Sequence, residues 1–154
     1  MKMEGEYTLH GSREEVWKIF RDPDVLVMAL PGTKSLKQVS ENEYDGELLV
    51  HIGPIMGSFG GKLTILNEVH PESLTLVVEG KGKIGFLKGS GDVKFIIISE
   101  NATTIQYKGD IQIGGRVASV GQRLFDTVSN NMIKQGLDKL DKVLQDRRIN
   151  TKKI

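Results

Sequence analysis

Hydrophobic and polar positions alternate with a period of two through the middle of the chain, from about residue 33 to residue 114. Residues 44–52 are an example. One face carries Tyr44, Leu48, Val50 and Ile52, and the other face carries Asp45, Glu47 and His51, with Leu49 as the exception. This alternation is typical of an antiparallel strand with one buried face. Turn sequences such as Gly53–Pro54 separate these segments, and no helical pattern intervenes, so the sequence predicts an antiparallel meander.

Helical patterns flank the meander on both sides. Ser12 and Glu15 have the spacing of a capping box at a first helix. Asp22–Pro23 fits the start of a second short helix, which Pro31–Gly32 should end. From about residue 117 to about residue 147 the helical spacing of apolar residues returns, which predicts one helix about 45 Å long.

Together with a first strand at residues 3–10, these segments predict an α+β fold. We expect a curved seven-stranded antiparallel sheet wrapped around a long C-terminal helix, with two short helices after the first strand. Residues 1–148 should form one domain and residues 149–154 a short basic tail. The basic residues Arg147, Arg148, Lys152 and Lys153 suit a helix C-terminus, and contact with anionic lipid is the alternative.

Composition narrows the function classes. The 154 residues include 21 basic and 20 acidic ones, so the net charge of +1 gives no sign of a nucleic-acid partner. The absence of cysteine excludes disulfides, thiol nucleophiles and cysteine-ligated metals. The N-terminus lacks the apolar core of a secretion signal, and the apolar runs are too short to span a bilayer. We therefore expect a cytoplasmic protein.

Glycine is abundant, with 18 residues, and five glycines fall on or beside strand positions that should face the long helix. These are Gly46, Gly61, Gly80, Gly91 and Gly109. A glycine in a strand marks a bend, a bulge or a close approach of another backbone. Two interpretations stay open: the glycines only bend the strands, or they also leave an apolar pocket beneath the helix.

The sequence contains no convincing match to a known catalytic or cofactor-binding motif. Gly80–Gly85 matches a dinucleotide-binding fingerprint, but a strand rather than a helix follows it, which favours a hairpin. His10, His51 and His70 have no ligand spacing, and no serine lies in a nucleophile motif. We therefore predict no catalytic residues, no metal and no cofactor, and an enzyme is the less favoured alternative.

An apolar site is predicted between the sheet and the long helix. Its candidate ligand-binding residues are Leu48, Val50, Phe59, Leu63, Val93, Phe95, Tyr107, Leu124, Phe125, Val128 and Met132. Tyr107 is the candidate polar group for orienting a ligand. The two short helices carry three candidate gate residues, Trp17, Met28 and Leu30, and a place in the core is the alternative for each.

Several motifs resemble the CoxG family of carbon monoxide dehydrogenase subunits, within the START-like (SRPBCC) helix-grip superfamily. The resemblance rests on Val16–Trp17, Asp22–Leu26 with Leu30–Gly32, Gly53–Ile55, Gly89–Val93 and Gly114–Gly121, and it covers about residues 2–145. It implies an apolar cavity, a lipophilic ligand such as a quinone, and a molybdenum-containing dehydrogenase of the carbon monoxide dehydrogenase type as partner. It supplies no catalytic residues.

The leading hypothesis is therefore a carrier of a lipophilic small molecule that acts beside such a redox enzyme. The alternatives are a START-like enzyme of the cyclase or hydratase type, and an assembly module without a ligand. Many longer members of the family carry a C-terminal membrane-associating helix that residues 1–154 lack. We expect any membrane contact to be peripheral, at the inner face of the membrane.

Overall fold

The computed structural model describes residues 1–30 and 32–152, with side chains up to residue 148. Two short α-helices follow the first strand, six strands come next, and a 3₁₀ segment leads into a long helix. The elements are β1 (Lys2–Leu9), α1 (Arg13–Ile19), α2 (Pro23–Ala29), β2 (Thr33–Ser40), β3 (Glu43–Ile52), β4 (Ile55–Val69), β5 (Ser73–Gly82), β6 (Gly85–Ser99), β7 (Ala102–Gly114), a 3₁₀ segment (Arg116–Val120) and α3 (Gln122–Lys152).

The seven strands form one antiparallel sheet in the order β1-β7-β6-β5-β4-β3-β2. Consecutive strands from β2 to β7 pair as hairpins, and β1 closes the far edge against β7. The predicted curved antiparallel sheet with its long C-terminal helix is thus confirmed. We call the face toward α3 the concave face and the opposite face the outer face.

Both short helices begin with side-chain caps. At α1 the Glu15 amide donates to the Ser12 hydroxyl and the Ser12 amide donates to the Glu15 carboxylate, which completes the predicted capping box. At α2 the Asp22 carboxylate accepts from the amides of Asp24 and Val25. Beyond α2, Gly32 has a φ of 81°, a conformation that glycine adopts without strain.

The start of the long helix differs from the prediction. The apolar period suggested a helix from about residue 117, but residues 116–120 form a 3₁₀ turn and α3 begins at Gln122. Gly121 separates the two with a φ of 89°, which a regular right-handed helix excludes. Val117 and Val120 therefore share no helical stripe with the apolar residues of α3.

The C-terminal half of α3 is fixed to β1 by polar contacts. The Tyr7 hydroxyl donates to the Asp138 carboxylate, and the His10 amide donates to Asp141 Oδ1 at 2.7 Å. Gln145 also donates to Asp141, at 3.0 Å. These contacts set the position of the helix above the sheet.

Two basic residues just before the tail also hold this end in place. Arg148 donates to the carbonyl oxygens of His10 and Asn101, and Arg147 lies 3.7 Å from the Asp22 carboxylate. The Lys152 side chain and Lys153 lie outside the described residues. The proposed lipid contact of the tail stays a prediction.

Candidate functional site

The buried apolar residues form two separate clusters along the concave face. The first cluster fills the end near α1 and α2 and includes Trp17, Tyr44, Phe95 and Leu137. The second fills the opposite end, beneath the start of α3, and includes Phe59 and Phe125. A domain of this size normally has one contiguous core, so the division calls for a local cause.

Glycines mark the boundary between the two clusters on four strands. On each of β3, β4, β6 and β7 a glycine lies between the last side chain of the first cluster and the first side chain of the second. These glycines are Gly46, Gly61, Gly91 and Gly109. The sheet register places Gly46 opposite Gly61, Gly61 opposite Gly80, and Gly91 opposite Gly109. We call these five residues the glycine band.

The helix does not rest on the glycine band. A Cβ atom built at Gly61, Gly80 or Gly91 would have its three nearest neighbours in adjacent strands, not in α3. At Gly91 the nearest atoms are Gly109 Cα and Lys108 O, both at 3.6 Å. The backbone of α3 lies near α2 and β1, and it also approaches α1 and β3. We call the space between α3 and the glycine band the groove.

The predicted ligand-binding residues are divided between the two ends of the groove. Val93, Phe95, Leu63 and Tyr107 belong to the first cluster, whereas Leu48, Val50, Phe59, Phe125 and Val128 belong to the second. Met132 belongs to neither. Leu124 is 37% exposed and lies beside Gly53 in the β3–β4 turn. The structure thus brings these side chains together as two walls rather than as one continuous lining.

Half-buried side chains show that the groove is open to solvent. Val50, Phe59, Val93, Phe95 and Phe125 are buried. The remaining concave-face or helix residues of the predicted set are only half-buried, namely Leu48, Leu63, Tyr107, Val128 and Met132. On β5, Leu76, which packs against the first cluster, and Val78 are also half-buried.

The three gate candidates occupy different environments. Trp17 is 4% exposed and packs edge-to-face against Phe95 and His70 in the first cluster. Met28 and Leu30, at the end of α2, are 55% and 43% exposed. A Cβ built at Gly136 of α3 would lie 4.0 Å from Leu30 Cδ2, which places Leu30 beside the helix. Exposure therefore favours gating for Met28 and Leu30, which stays a prediction.

One polar group of the groove was predicted. Tyr107 is half-buried on the concave face, and its hydroxyl has no hydrogen-bond partner among the described residues. Its side chain extends over Gly5, where a Cβ atom would lie within contact distance of the ring. Burial raises the pKa of Tyr107 above its ordinary value of 10.0, so the group is a neutral hydroxyl at physiological pH.

A second polar group, Asp126, was missed at the sequence level. Its Oδ1 atom is buried and, within the described part of the chain, accepts no hydrogen bond. Helical spacing places Asp126 in one row with Ile133, Leu137, Leu140 and Leu144, at intervals of 7, 11, 14 and 18 residues. The last three are buried in the first cluster, so the C-terminal part of this row faces the sheet. Near Asp126 the residues packed in the second cluster are Phe125 and Val128, which lie on other sides of the helix. The same spacing, read from the sequence, would have found Asp126 as the charged member of an apolar row.

The histidines have carboxylate partners that their spacing does not reveal. His10 Nδ1 lies 2.9 Å from Asp141 Oδ2, and His70 Nε2 lies 2.9 Å from Glu14 Oε1. Each pair joins residues from distant parts of the chain. Within the described residues, no group of three or more acidic or histidine side chains is placed to hold a metal ion.

Two surface hollows lie outside the groove. One, of about 520 Å³, is lined on the outer face mainly by charged and amide side chains, including Glu4, Asp92 and Lys108. The other, of about 360 Å³, lies where β5 begins beside β6, next to Arg13 and Ile96. Of the predicted ligand-binding residues, Tyr107 borders the first hollow and Phe95 borders the second, and the other predicted residues line neither. Among the described helices, none combines the length and apolarity needed to cross a bilayer.

Solved structures share this fold. A conserved protein from Geobacillus kaustophilus is 28% identical with a TM-score of 0.90, over 95% of this chain and 96% of its own. A START superfamily protein from Mycobacterium smegmatis is 10% identical with a TM-score of 0.71, over 94% and 97%. The ZhuI aromatase/cyclase from Streptomyces sp. R1128 is 11% identical with a TM-score of 0.68, over 96% and 94%. At such low identity, the last two show the fold alone.

The sequence itself carries the family relationship. No curated protein matches it at a significant level. The sequence profile of one family, however, matches residues 5–145, which include the glycine band, both short helices and most of α3. The chain belongs to the CoxG family of carbon monoxide dehydrogenase subunits.

Proposed function

We propose that this protein binds a lipophilic small molecule in the groove and carries it for a redox enzyme. The observation that carries the proposal is the glycine band, which divides the apolar core in two and keeps side chains out of the space beneath α3. Leaving half-buried apolar surface along a groove costs stability, which ligand burial would offset. CoxG membership and a START-like fold suggest such an accessory role.

The finer form of the proposal names a quinone and a molybdenum-containing dehydrogenase of the carbon monoxide dehydrogenase type. The family relationship supports the partner, and a flat ring system suits a groove whose floor is backbone rather than side chains. Met28 and Leu30 would contact the ligand as it enters. We further propose that the protein works in the cytoplasm, with at most peripheral contact with the inner face of the membrane.

Native mass spectrometry of the gently purified chain, followed by organic extraction, tests the proposal. We expect a bound lipophilic species in the wild type. The Gly91→Leu variant should lose the bound species, because its side chain would enter the groove. The Ser90→Leu variant should retain the bound species, because this position is on the outer face of the same strand. A ligand-free wild type that co-purifies with a molybdenum-containing dehydrogenase would favour the assembly module instead.

A second candidate function, an enzyme of the cyclase or hydratase type, is favoured by the Tyr107 hydroxyl and the buried Asp126 oxygen. Both are groups of the kind that transfer protons during catalysis. Chemical change of the extracted ligand on incubation with fresh protein would support it, if Asp126→Asn or Tyr107→Phe then abolished the change. Unaltered recovery of the ligand supports the carrier.

A further inference from the structure

Three consecutive isoleucines lie exposed at the end of β6. Ile96, Ile97 and Ile98 are 37%, 57% and 60% exposed. Side chains of β6 alternate between buried or half-buried and exposed positions up to Phe95, and beyond it both faces of the strand are open to solvent. Single exposed apolar residues are ordinary, but a continuous run is typical of an interaction surface. We call residues 96–98 the isoleucine segment.

The isoleucine segment also has a free strand edge. The β5 strand begins opposite Lys94. The next backbone hydrogen bond on that side runs from the Phe95 amide to the Glu72 carbonyl oxygen, at 2.8 Å. Because the backbone groups of alternate residues point the same way, the N–H and C=O groups of Ile97 point past the start of β5. The hollow of about 360 Å³ borders Ile97 at this place, so the edge is open to another chain.

The edge strand β2, in contrast, is protected against pairing. It carries Lys34 and Lys37, and its register with β3 is irregular at two places. Charged side chains and bulges are the usual means by which proteins prevent edge-to-edge association. Residues 95–99 of β6 include no charged residue. The isoleucine segment therefore lacks the charges that would keep another strand away.

We propose that a second copy of this chain covers the isoleucine segment, with the two β6 ends antiparallel about a two-fold axis. Opposite charges flank the segment, with Lys94 before the isoleucines and Glu100 after them. An antiparallel arrangement brings Lys94 of each copy close to Glu100 of the other, so the charges are matched on both sides of the axis. Within the described part of the chain, neither side chain forms an ion pair. Both are therefore available to the second copy.

This dimer should be weak and reversible. Stable complexes bury about 800 Å² per partner, and three isoleucines on each side supply only part of that area. The contact lies beyond Phe95, whereas the glycine band crosses the same strand at Gly91, so the dimer leaves the groove open. The inference goes beyond the carrier function and does not depend on it.

Sedimentation velocity at increasing protein concentration tests for the dimer. We expect the full-length wild type to pass from monomer to dimer as its concentration rises to about 500 μM, since weak complexes have Kd values in the micromolar range. Ile97→Lys should raise the Kd at least about tenfold, because the burial of an apolar side chain is lost on both copies. Val39→Lys, at a position of β2 that is 48% exposed, is the matched control and should leave the Kd unchanged.

A charge swap tests the antiparallel arrangement. Lys94→Glu should raise the Kd about fivefold at low ionic strength, because it places two carboxylates together on each side of the axis. Adding Glu100→Lys to the same chain should restore the wild-type Kd to within about twofold, since opposite charges then meet again. This rescue keeps the test decisive even if Ile97→Lys impairs folding.

Three results would overturn the inference. One is a wild type that stays monomeric at every concentration. Another is a dimer whose Kd is unchanged by Ile97→Lys or by Lys94→Glu. The last is a double variant, Lys94→Glu with Glu100→Lys, that fails to restore the Kd. None of these results bears on the lipophilic species sought by native mass spectrometry, which tests the carrier function separately.

Discussion

At the scale of single residues, polar contacts decide where the long helix lies. Tyr7 and His10, on and just after an edge strand, reach two carboxylates of α3. Each contact joins residues more than 130 positions apart in the sequence. No local pattern contains that information, since the pairing exists only once the sheet has brought β1 beside the helix. The sequence around His10 consequently gives no sign of its contact with Asp141.

Tyr7 makes the helix contact sensitive to alkaline pH. Burial, together with the hydrogen bond to Asp138, raises the pKa of Tyr7 above its ordinary value of 10.0. A raised pKa in the folded state means that the stabilisation is present below pH 10 and is lost as the pH rises further toward the folded-state value. Ionised Tyr7 would repel Asp138 instead of donating to it.

We therefore expect Tyr7→Phe to lower the free energy of unfolding by about 1 kcal/mol at pH 7, the usual net value of one hydrogen bond. The difference from the wild type should shrink above pH 10. Urea unfolding at a series of pH values would measure it. Tyr107→Phe is the matched control, because its hydroxyl has no partner among the described residues and its removal should cost little at pH 7. A constant difference between Tyr7→Phe and wild type from pH 7 to pH 12 would refute the contact.

At the scale of the elements, the sequence predicted the strands and the capped short helices well. A period of two and a side-chain cap are local signals, and both appear in the structure where they were expected. The predicted start of α3 was wrong because Val117 and Val120 continue the apolar period through a 3₁₀ turn. Only the backbone conformation of Gly121 shows that the helix begins later. The glycines were identified, but their common position across four strands required the register.

The glycine band yields a paired test of backbone packing. Gly91 and Gly109 are register partners on adjacent strands. A Cβ atom built at Gly109 would lie 2.6 Å from Ser90 O, whereas a Cβ atom built at Gly91 would lie 3.6 Å from its nearest atoms. Gly109→Ala should therefore lower the free energy of unfolding by about 2 kcal/mol, because backbone must shift. Gly91→Ala should change it by less than about 1 kcal/mol, or raise it. Chemical denaturation measures both, and equal losses would mean that the band is closely packed on both strands.

At the scale of the whole molecule, the two clusters divide the chain into a firmly fixed part and a loosely fixed part. The described polar contacts of α3 with β1 lie in the C-terminal half of the helix, beside the larger cluster. The N-terminal half follows Gly121 and rests on the smaller cluster through Phe125 and Val128. Local opening should therefore be easiest around residues 116–132, where the groove meets the helix.

Hydrogen–deuterium exchange followed by mass spectrometry tests this division. Without ligand, we expect peptides from residues 122–132 to exchange at least about tenfold faster than those from residues 136–146, since fewer contacts must break for the amides to open. The lipophilic species extracted from the wild type, added back at saturation, should slow exchange in the first segment and in the glycine-band strands, because binding stabilises the closed state by mass action. The edge strand β2 is the internal control and should be unaffected. Uniform protection along α3 without ligand would show that the helix behaves as one rigid unit, and the groove would then have to admit its ligand without movement of that helix.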